Sequence, residues 1–326
     1  MGMGKSSGSG SGSGSGSIGL EAKQIIDIFK ILQGNPGDED YNRKPVIVQG
    51  MTGKFGSLHT RLMREYGTNI VAGVTPGKGG EQFDGIPVYD SVRDAVKEHN
   101  AEISVVFVPA QFFLNAAVDA LTNGIRLMVA IPEHVPVRDT LKCIKLAKEN
   151  NAVVVGPNTP GIIVPGVIKL GIMPAQPFSK GRTVVISRSG TLMYEISHRL
   201  TLAGFGQRLC LGIGGDPINC LTLIECFELI RDRDDVDSVV VVGEIGGSAE
   251  EQLAEYIIST EFKKPVVAYI AGRSAPKEKR MGHAGAIVYG TYGSAESKVS
   301  MFAKADVPVA KRPAEVPILL EKKMRR

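Results

Sequence analysis

A histidine set among small residues is the position in this sequence where chemistry is easiest to place. His283 stands in KRMGHAGAI (279–287), and it is one of only five histidines in 326 residues. The neighbouring glycines leave the ring open and let main-chain N–H groups turn towards a ligand. Such a ring suits a nucleophile that accepts a phosphoryl group, because a doubly charged phosphohistidine needs hydrogen-bond donors and little side-chain bulk around it.

Three other roles for His283 are less favoured. No second His, no Cys and no pair of carboxylates stands at ligand spacing, so the sequence predicts no metal site. Neither Ser187 nor Ser189 sits in a G-x-S-x-G motif, which disfavours acyl-serine chemistry with this histidine as the base. A purely structural histidine stays open as an alternative.

A carboxylate is the first candidate partner for this ring. Glu244 ends SVVVVGE (238–244), and in open α/β sheets ligand sites form outside the carboxyl ends of the strands. A solvated loop acid is the alternative. Slightly further on, Ser248 and Glu251 have the Ser-x-x-Glu spacing of a capping box, so we assign Ser248 to a helix cap.

Two other turns have the residues for binding anions. ISRSGTLMYE (186–195) places small residues at a predicted helix N-terminus, where N–H groups attract anions. VQGMTGKFGSLHT (48–60) has glycines at 50, 53 and 56, spaced G-x-x-G-x-x-G rather than the dinucleotide G-x-G-x-x-G. These glycines let a pyrophosphate approach the backbone at a helix start, although tight turns also use glycine for steric reasons alone.

The turn after the second predicted strand narrows the type of ligand. An NAD site usually presents Asp or Glu there, but VAGVTPGKGG (71–80) has no acid and carries Lys78. A cation suits an additional phosphate, such as the 3′-phosphate of coenzyme A. The segment is one residue short of a Walker A loop and lacks Ser or Thr after the lysine, so we reject a nucleoside triphosphate site.

Alternating elements position these turns. Between 45 and 156, predicted strands at 47–50, 69–74, 103–108, 127–131 and 152–156 alternate with predicted helices at 55–66, 91–99, 111–123 and 138–150. After the Pro- and Gly-rich stretch 156–166, predicted strands follow at 183–187, 238–244, 265–272 and 286–290, with a tail helix from Ala314 to Lys323. This alternation predicts an α/β fold of two parallel sheets, a Rossmann-like domain over 45–164 and a flavodoxin-like domain over 165–326.

The chain before residue 45 has a different character. Residues 1–17 read MGMGKSSGSGSGSGSGS, and their alternating Gly and Ser are typical of a flexible linker, so we exclude them from the fold. Residues 18–44 read as a helical extension and connector, with an amphipathic helix over Leu20–Gln33 that stops at Gly34.

Composition excludes several classes of protein. A formal charge of +4 is too small to argue for nucleic acid, and no apolar run approaches the ~18 residues of a membrane helix. The start has neither a secretory nor a transit pattern. Four cysteines lack C-x-x-C spacing and read as reduced thiols: Cys143, Cys210, Cys220 and Cys226. We therefore expect a cytoplasmic protein without nucleic-acid or membrane partners.

Nine motifs in order resemble one family along the chain from about Pro45 to its end: GMTG, GVTPGKGG, GPNTPG, SRSGTLMYE, GIGGDP, VGEIGGSAEE, YIAG, APK and KRMGHAGAI. They resemble the alpha subunits of succinyl-CoA synthetase (succinate–CoA ligase). The resemblance implies a CoA-binding Rossmann-like domain and a flavodoxin-like ligase domain with a phosphohistidine. The implied activity is that of an acid–thiol ligase of the tricarboxylic acid cycle, in which succinate, CoA and ATP or GTP give succinyl-CoA, ADP or GDP, and phosphate.

The resemblance also implies roles for particular residues. His283 corresponds to the phosphohistidine and Glu244 to the carboxylate that orients it. The implied CoA contacts are Thr52, Gly53, Lys54, Phe55, Lys78, Ile131, Pro132 and Glu133. The residues implied near the phosphoryl group are Asn158, Thr159, Pro160, Ser189, Gly190 and Thr191. Tyr194 is implied to face the acid substrate at the interface with a partner subunit.

The reaction needs a nucleotide site that this sequence does not show. The chain has neither a Walker A loop nor a glycine-rich nucleotide grasp with paired metal carboxylates. The resemblance therefore implies a beta subunit with a nucleotide-grasp domain, which supplies the Mg-nucleotide site and most of the acid pocket, and so a hetero-oligomer. The sequence does not distinguish ATP from GTP, or a heterodimer from a heterotetramer.

Two kinds of alternative remain open. Within the same architecture, the chain could activate another acid, as the small subunit of citryl-CoA synthetase, an ATP-citrate lyase relative or a malate–CoA ligase alpha subunit. The loop GPNTPGI (156–162) resembles the succinate type more than the citrate type. From another class, a non-catalytic CoA-binding protein would need the first domain only, and Glu244 and His283 argue against it.

Overall fold

The structure is a computed structural model that describes residues 26–39, 41–273, 283–288 and 293–325. The Gly/Ser linker 1–17 and residues 20–25 of the predicted first helix lie outside the described residues. No helix in the described part of the chain has both the length and the apolar composition that crossing a bilayer requires.

The N-terminal half is built from twelve helices and strands. In chain order they are α1 (Ile28–Gln33), β1 (Val46–Gln49), α2 (Lys54–Glu65), β2 (Ile70–Val74), β3 (Gln82–Phe83), β4 (Ile86–Tyr89), α3 (Val92–His99), β5 (Ile103–Val106), α4 (Phe113–Thr122), β6 (Leu127–Ala130), α5 (Val137–Glu149) and β7 (Val153–Val155). A 3₁₀ turn, Ala110–Phe112, precedes α4. The predicted alternation of strands and helices is therefore confirmed here, with small shifts at element ends and two strands, β3 and β4, that were not predicted.

The first sheet has the order β3-β4-β2-β1-β5-β6-β7. All pairs are parallel except β3 with β4. Side chains on the two faces of β1 pack in different hydrophobic clusters. Ile47 packs in the cluster with α3, α4 and α5, whereas Val46 and Val48 pack in a cluster shared with the second half of the chain. The strand order reverses at β1, so the crevice at its carboxyl end is a ligand site by topology.

The C-terminal half contains a second seven-stranded sheet. The helices and strands of this half are β8 (Gly161–Val164), β9 (Ile168–Gly171), β10 (Lys180–Ser187), α6 (Gly190–Leu202), β11 (Gln207–Gly212), α7 (Leu223–Ile230), β12 (Ser238–Glu244), α8 (Ala249–Ser259), β13 (Val266–Ala271), α9 (Ala295–Lys304), β14 (Val309–Ala310) and α10 (Val316–Met324). The sheet order is β14-β13-β12-β10-β11-β8-β9. The parallel part, β11-β10-β12-β13-β14, has the flavodoxin-like order 2-1-3-4-5, and it reverses at β10.

Four features of the second sheet differ from the prediction, and one of them is the two-residue strand β14, which was not predicted. The predicted strand 286–290 was wrong over 286–288, which have no regular structure, while 289–290 lie outside the described residues. Strand β11 was not predicted. The hairpin β8–β9 was not predicted either, because its strands are four residues each and the Pro and Gly around them read as a connector.

The hairpin bears on where the two domains divide. Strand β8 pairs antiparallel with β11, so residues 161–164 belong to the second sheet. The predicted boundary between 164 and 165 falls within this hairpin, between β8 and its antiparallel partner β9. We propose instead that the boundary lies in the loop 156–160, between β7 and β8.

Helix α1 is shorter than the predicted helix Leu20–Gln33. It begins at Ile28, because the carboxylate of Asp27 caps it by accepting from the N–H of Phe29 at 2.9 Å. Phe29 is 2% exposed, and the guanidinium carbons of Arg208 and Arg233 lie over its ring, at 4.7 and 4.0 Å from the ring centroid. The extension is therefore docked onto the second half, beside the start of β11 and the loop before β12.

Candidate active site

A cavity of about 620 Å³ lies between the two halves, outside the carboxyl ends of their central strands. Its lining includes these residues that the sequence nominated: Phe55, Ile131, Pro132, Glu133, Asn158, Thr159, Pro160, Ser189, Gly190, Thr191, Tyr194 and His283. The loops nominated for CoA and the histidine nominated for phosphoryl transfer therefore open into one space. The nominated residues that do not line it are Thr52, Gly53, Lys54, Lys78 and Glu244.

His283 and Glu244 form a hydrogen-bonded pair beside this cavity. Nδ1 of the ring lies 2.8 Å from Oε2 of the carboxylate. The histidine side chain is 32% exposed and the glutamate side chain 7%. Because an ionised carboxylate only accepts, the proton of the neutral ring sits on Nδ1, and Nε2 keeps the lone pair that a nucleophile needs.

The environment favours the protonated form of the ring. The hydrogen bond to Glu244 raises the pKa of His283 above its ordinary 6.5, although burial and the Arg188 guanidinium act in the other direction. Asp216 also raises this pKa. A neutral, nucleophilic ring is therefore populated above a pKa that is itself higher than usual.

Gly215 sets the position of the ring. A Cβ at this residue would lie 2.4 Å from Cγ of His283 and 2.6 Å from its Nδ1. The main chains are also joined, because the N–H of Gly285 donates to the carbonyl of Gly215 at 3.2 Å. The ring therefore packs on bare backbone, a contact that any other residue at 215 would prevent. The sequence analysis noted the motif GIGGDP (212–217) but assigned no role to Gly215 within it.

The loop 157–160 lines the cavity and is hydrogen-bonded to the segment 212–216, which packs against the His283 ring. Asn158 donates through Nδ2 to Oδ1 of the buried Asp216 at 2.9 Å. Burial raises the pKa of Asp216, and this hydrogen bond opposes the change. Thr159 donates to the carbonyl of Gly212 at 2.5 Å and is 3% exposed, so its hydroxyl is used in fixing the loop.

The amino end of α6 faces the cavity. Ser189 is its N-cap by position but makes no side-chain capping bond, and Gly190 and Thr191 follow. The first N–H groups of this 13-residue helix thus have no side-chain cap. Uncapped N–H groups at a helix N-terminus are suited to an anion. The adjacent Tyr194 has its pKa raised to about 12 by burial, so its hydroxyl stays protonated.

The predicted CoA turn has the backbone of an anion site. Gly53 is the N-cap of α2 and supplies no side-chain cap. Gly56 allows the helix to approach the turn, since a Cβ there would lie 2.2 Å from the carbonyl oxygen of Gly50. Lys54 is the first residue of the helix and is exposed. The first turn of α2 can therefore receive a phosphate group.

Phe55, in the first turn of α2, lines the cavity and belongs to a cluster of aromatic rings. Its ring is 50% exposed and lies edge-on to Phe107 with centroids 5.8 Å apart. His59, one turn further along α2, also contacts Phe55 edge-on at 4.5 Å. Burial lowers the pKa of His59, which keeps this ring neutral within the aromatic cluster.

The remaining CoA candidates lie at the turn after β2. Thr52 donates to the hydroxyl of Thr75 at 3.2 Å, which joins the turns after β1 and β2. Lys78 is 45% exposed and lies 3.5 Å from Oε2 of Glu81. Both residues are thus close to the carboxyl edge of the first sheet, although outside the cavity itself.

The predicted capping box was wrong. Ser248 occupies the N-cap position of α8, but its side chain makes no capping bond. Glu251 instead accepts from Nζ of Lys298 at 2.9 Å. The Glu251 side chain therefore forms a long-range ion pair with Lys298 and not the local hydrogen bond of a capping box. Sequence reasoning also missed Arg188, Glu250 and Lys298, which pack beneath Glu244.

Two families match the chain in the order of its two halves. The family described as CoA binding domain matches residues 41–134, and the family described as CoA-ligase matches residues 186–307. The solved structure of ATP citrate lyase from Methanothrix soehngenii, in complex with citrate and coenzyme A, has the same fold. Its TM-score is 0.78 at 21% identity, over 87% of this chain and 50% of that chain, so this chain spans half of that protein's length.

Curated relatives match over most of both lengths. The alpha subunit of succinate–CoA ligase (ADP-forming) from Methanothermobacter thermautotrophicus is 50% identical over 270 residues, 83% of this chain and 91% of the relative. The alpha subunit 2 of the same enzyme from Archaeoglobus fulgidus is 52% identical over 274 residues, 84% of this chain and 95% of the relative. At this identity and coverage, the chain belongs to the family of succinate–CoA ligase alpha subunits.

Proposed function

We propose that this chain is the subunit of a succinate–CoA ligase that binds CoA and carries the phosphoryl group on His283. The reaction interconverts succinate, CoA and ATP with succinyl-CoA, ADP and phosphate. The choice of succinate and of the adenine nucleotide follows the names of the relatives. The observation that carries the proposal is the His283–Glu244 pair at 2.8 Å beside the cavity into which the CoA loops open.

The relay step follows from the geometry of the ring. In the direction of nucleotide synthesis, phosphate displaces CoA from succinyl-CoA and gives succinyl phosphate. Nε2 of His283 then attacks the phosphorus, so an N–P bond forms, the P–O bond to the acyl group breaks, and succinate leaves as a carboxylate. The Nδ1 proton stays hydrogen-bonded to Glu244, which stabilises the charge that the ring develops during attack.

Residues around the ring are suited to the dianionic product. The uncapped first turn of α6, with Ser189, Gly190 and Thr191, offers main-chain N–H groups. Asn158, Thr159 and Pro160 complete that side of the cavity. We infer that these loops hold the phosphoryl group while it is on His283. Tyr194, with its protonated hydroxyl, is a hydrogen-bond donor for the succinate carboxylate at the open side.

CoA binding is assigned to the turn at the start of α2 and to two flanking loops. The backbone after Thr52 and Gly53 receives the pyrophosphate, with Lys54 and Phe55 beside it. Lys78 meets the 3′-phosphate. Residues 131–133 line the cavity and guide the pantetheine arm towards His283. This arrangement follows the rule that open α/β sheets bind ligands at the carboxyl ends of their strands.

A partner completes the enzyme in this proposal. The relatives are named as alpha subunits, so a second subunit belongs to the active assembly. We infer that this beta subunit has a nucleotide-grasp domain and holds the Mg-nucleotide and most of the acid pocket. The phosphohistidine passes its phosphoryl group to ADP there, and the N–P bond breaks as a new O–P bond forms. We expect the assembly in the cytoplasm.

The first experiment asks for acid-labile phosphate on the chain. The chain is co-purified with its beta subunit and given labelled inorganic phosphate with succinyl-CoA, citryl-CoA or malyl-CoA. We expect label with succinyl-CoA alone, and none in His283→Asn. Label with citryl-CoA or malyl-CoA instead would keep the relay and change the acid. No label with any acyl-CoA would overturn the ligase proposal in favour of a non-catalytic CoA-binding protein.

A further inference from the structure

The loop that presents Glu244, residues 244–247, is held by buried charged side chains. The N–H of Glu244 donates to Oε1 of Glu250 at 3.1 Å. Nη1 of Arg188 donates to the carbonyl oxygens of Glu244 and Gly246, at 3.4 and 3.0 Å. The same Nη1 donates to Oε1 of Glu250 at 3.1 Å. Arg188 and Glu250 therefore fix the main chain of Glu244 on both of its polar groups.

A lysine from a third element completes the cluster. Nζ of Lys298, on α9, donates to the carbonyl of Gly247 at 3.0 Å. It also donates to the carboxylate of Glu250 and, at 2.9 Å, to that of Glu251. Side chains from three separate parts of the fold, the residue after β10, the first turn of α8 and α9, thus converge on a four-residue loop.

These charges are withdrawn from water. The side chains of Glu250 and Lys298 are 0% exposed and that of Arg188 is 7% exposed. Burial alone would raise the pKa of Glu250, but Arg188 and Lys298 outweigh it and lower that pKa, so the carboxyl group is ionised. Buried ion pairs cost desolvation, and well-packed apolar residues often stabilise a fold as well or better. The place of the cluster, directly beneath the reacting pair, points to a role in geometry.

We propose that Glu250 is a positioning residue for the phosphohistidine relay. It fixes Arg188 and Lys298, and the three side chains together hold the loop 244–247 so that Glu244 meets Nδ1 of His283. The inference rests on the proposed function for its catalytic consequence. Its structural consequence, the placement of Glu244 against the ring, does not need the partner subunit or any substrate.

The geometry explains why such a support is needed. Oε1 of Glu244 is buried without a hydrogen-bond partner among the described residues, and the nearest cation is Nη2 of Arg188 at 3.5 Å. Within the described part of the chain, the side chain is therefore held by one hydrogen bond, to His283, and by the ion pair with Arg188. Its orientation depends on the main chain beneath it. A misplacement of about 1 Å at a reacting group can cost about 100-fold in rate.

The test is Glu250→Gln in the full chain, with two readouts. An amide keeps one oxygen acceptor but sets an NH₂ group against a cation, either Arg188 or Lys298, and so loosens the cluster. We expect the pKa of His283, followed by NMR in the free chain, to fall towards its ordinary value as Glu244 moves away. In the complex, phosphorylation from succinyl-CoA and phosphate should fall about 100-fold.

The pKa of His283 can be measured separately from those of the other histidines, and it depends on a small set of charged groups. The chain has five histidines, so His283→Asn identifies the signal by its absence. Among the described residues, the charged groups that shift the pKa of this ring are Glu244 at the end of β12, Arg188 after β10 and Asp216 after β11. Of these, Glu250→Gln changes none directly. Because Glu250→Gln also removes a buried negative charge beside Arg188, which by itself lowers the pKa of His283, the charge-conserving Arg188→Lys variant is the comparison. A fall of the pKa in both variants reports on how the three groups are placed.

A matched control separates positioning from simple destabilisation. Asp235→Asn removes a carboxylate that Arg208 and Arg233 share at the amino edge of the second sheet. It should lower the melting temperature while leaving the pKa of His283 unchanged. Assays are run below the melting temperature of each variant. A folded Glu250→Gln protein with the wild-type pKa at His283 and the wild-type phosphorylation rate would overturn the proposal.

A second variant covers the case in which Glu250→Gln does not fold. Arg188→Lys keeps the charge, but a lysine cannot serve the carbonyls of Glu244 and Gly246 and the carboxylate of Glu250 in the planar fork geometry of a guanidinium. We expect the same fall in the pKa of His283, and an unchanged pKa would contradict the proposal. If the wild type is not phosphorylated while the pKa responds, the proposed function fails and the positioning role stands.

Discussion

Nδ1 of His283 lies 2.8 Å from Oε2 of Glu244, although the two residues are 39 positions apart in the chain. The carboxylate is almost completely buried and the ring is one-third exposed. The pair therefore has a dry side, where the proton is held, and an open side, where Nε2 can react. This division of the ring is what a phosphoryl relay requires, because attack and departure both occur at the open nitrogen.

Glu244→Gln should slow the relay and move its pH dependence. The attacking ring must be neutral, so the phosphorylation rate rises as pH passes through the pKa of His283, which Glu244 raises. Loss of the charge lowers that pKa, so the midpoint of the rate profile shifts to lower pH. At the plateau we expect a rate about 10- to 100-fold lower, the equivalent of the ~1.5–3 kcal/mol of a charge-assisted hydrogen bond.

The measurement is the rate of label incorporation from phosphate and succinyl-CoA between pH 5.5 and 8.5. Glu255→Gln, an exposed carboxylate on α8, is the control and should follow the wild type. A Glu244→Gln profile with an unchanged midpoint would contradict the assignment of this carboxylate as the partner of the ring.

The same pair should make folding stability depend on pH. Because the pKa of His283 is raised in the folded state, the charged pair stabilises the fold fully below the unfolded pKa of about 6.5. This contribution is lost as pH rises through the higher folded value. The urea midpoint of the wild type, relative to His283→Asn, should therefore be greater at pH 5.5 than at pH 8.5. Equal differences at both pH values would show that the raised pKa is absent.

Gly215→Ala should abolish the correct placement of the ring. Its added methyl carbon would overlap the ring at 2.4 Å from Cγ of His283, and Gly215 is not among the residues with positive φ. The backbone therefore tolerates alanine, and the ring has to move. We expect about a 100-fold loss of phosphorylation, the scale for a ~1 Å misplacement.

CoA binding serves as the internal control for Gly215→Ala, since the CoA turn is on the other sheet. Isothermal titration of CoA should give the same affinity for variant and wild type. A wild-type rate of phosphorylation in the alanine variant would show that the close contact between Gly215 and the ring is not required.

Lys78→Ala tests the assignment of the 3′-phosphate. The side chain is 45% exposed and paired with Glu81, so its interaction with a phosphate is screened by solvent. We expect CoA to bind about 1.4- to 5-fold more weakly, in line with the ~0.2–1 kcal/mol of an exposed ion pair, and dephospho-CoA to bind as before. Titration of both ligands measures the ratio. The control is Lys97→Ala, an exposed lysine on α3, and an equal loss for both ligands would refute the assignment.

Phe29→Ala should unfold more easily without losing the relay. The residue is 2% exposed and its ring packs against two guanidinium groups, so its removal should cost about 3–5 kcal/mol of unfolding free energy. Urea denaturation measures this, with Leu202→Ala, which is 74% exposed, as the control within about 0.5 kcal/mol. Since Phe29 lies at the amino edge of the second sheet, phosphorylation of the folded variant should be unchanged. A stability like that of the wild type would mean that α1 is not docked.

Local pattern determined most of the elements. Strands such as β1 and β12 are runs of apolar, β-branched residues buried on both faces, and helices such as α5 show apolar residues at helical spacing. The failures have a physical reason too. The hairpin β8–β9 is too short to show a period, and the segment 286–288 has strand-forming residues but pairs with no strand of the described residues. Pairing, rather than propensity, decided both cases.

Some of the residues of the site could be predicted from the sequence. His283 stood out because its neighbours are small, and Glu244 because it ends an apolar strand. Arg188 had a comparable signal, a charge between an apolar strand and a helix, and was overlooked. Glu250 and Lys298 had no signal, because a first-turn glutamate and a mid-helix lysine are ordinary on exposed helix faces.

By itself, the sequence determined the alternation of strands and helices, the glycine turns at their junctions and the nucleophile among small residues. Each is a property of neighbours within about one element of chain. Only the tertiary structure decided that Gly215 lies under the ring, that Glu251 binds Lys298 instead of capping α8, and that Arg188 and Glu250 hold the loop of Glu244. These contacts depend on sheet order and register, because strands far apart in sequence bring their carboxyl ends together only when the sheet is assembled.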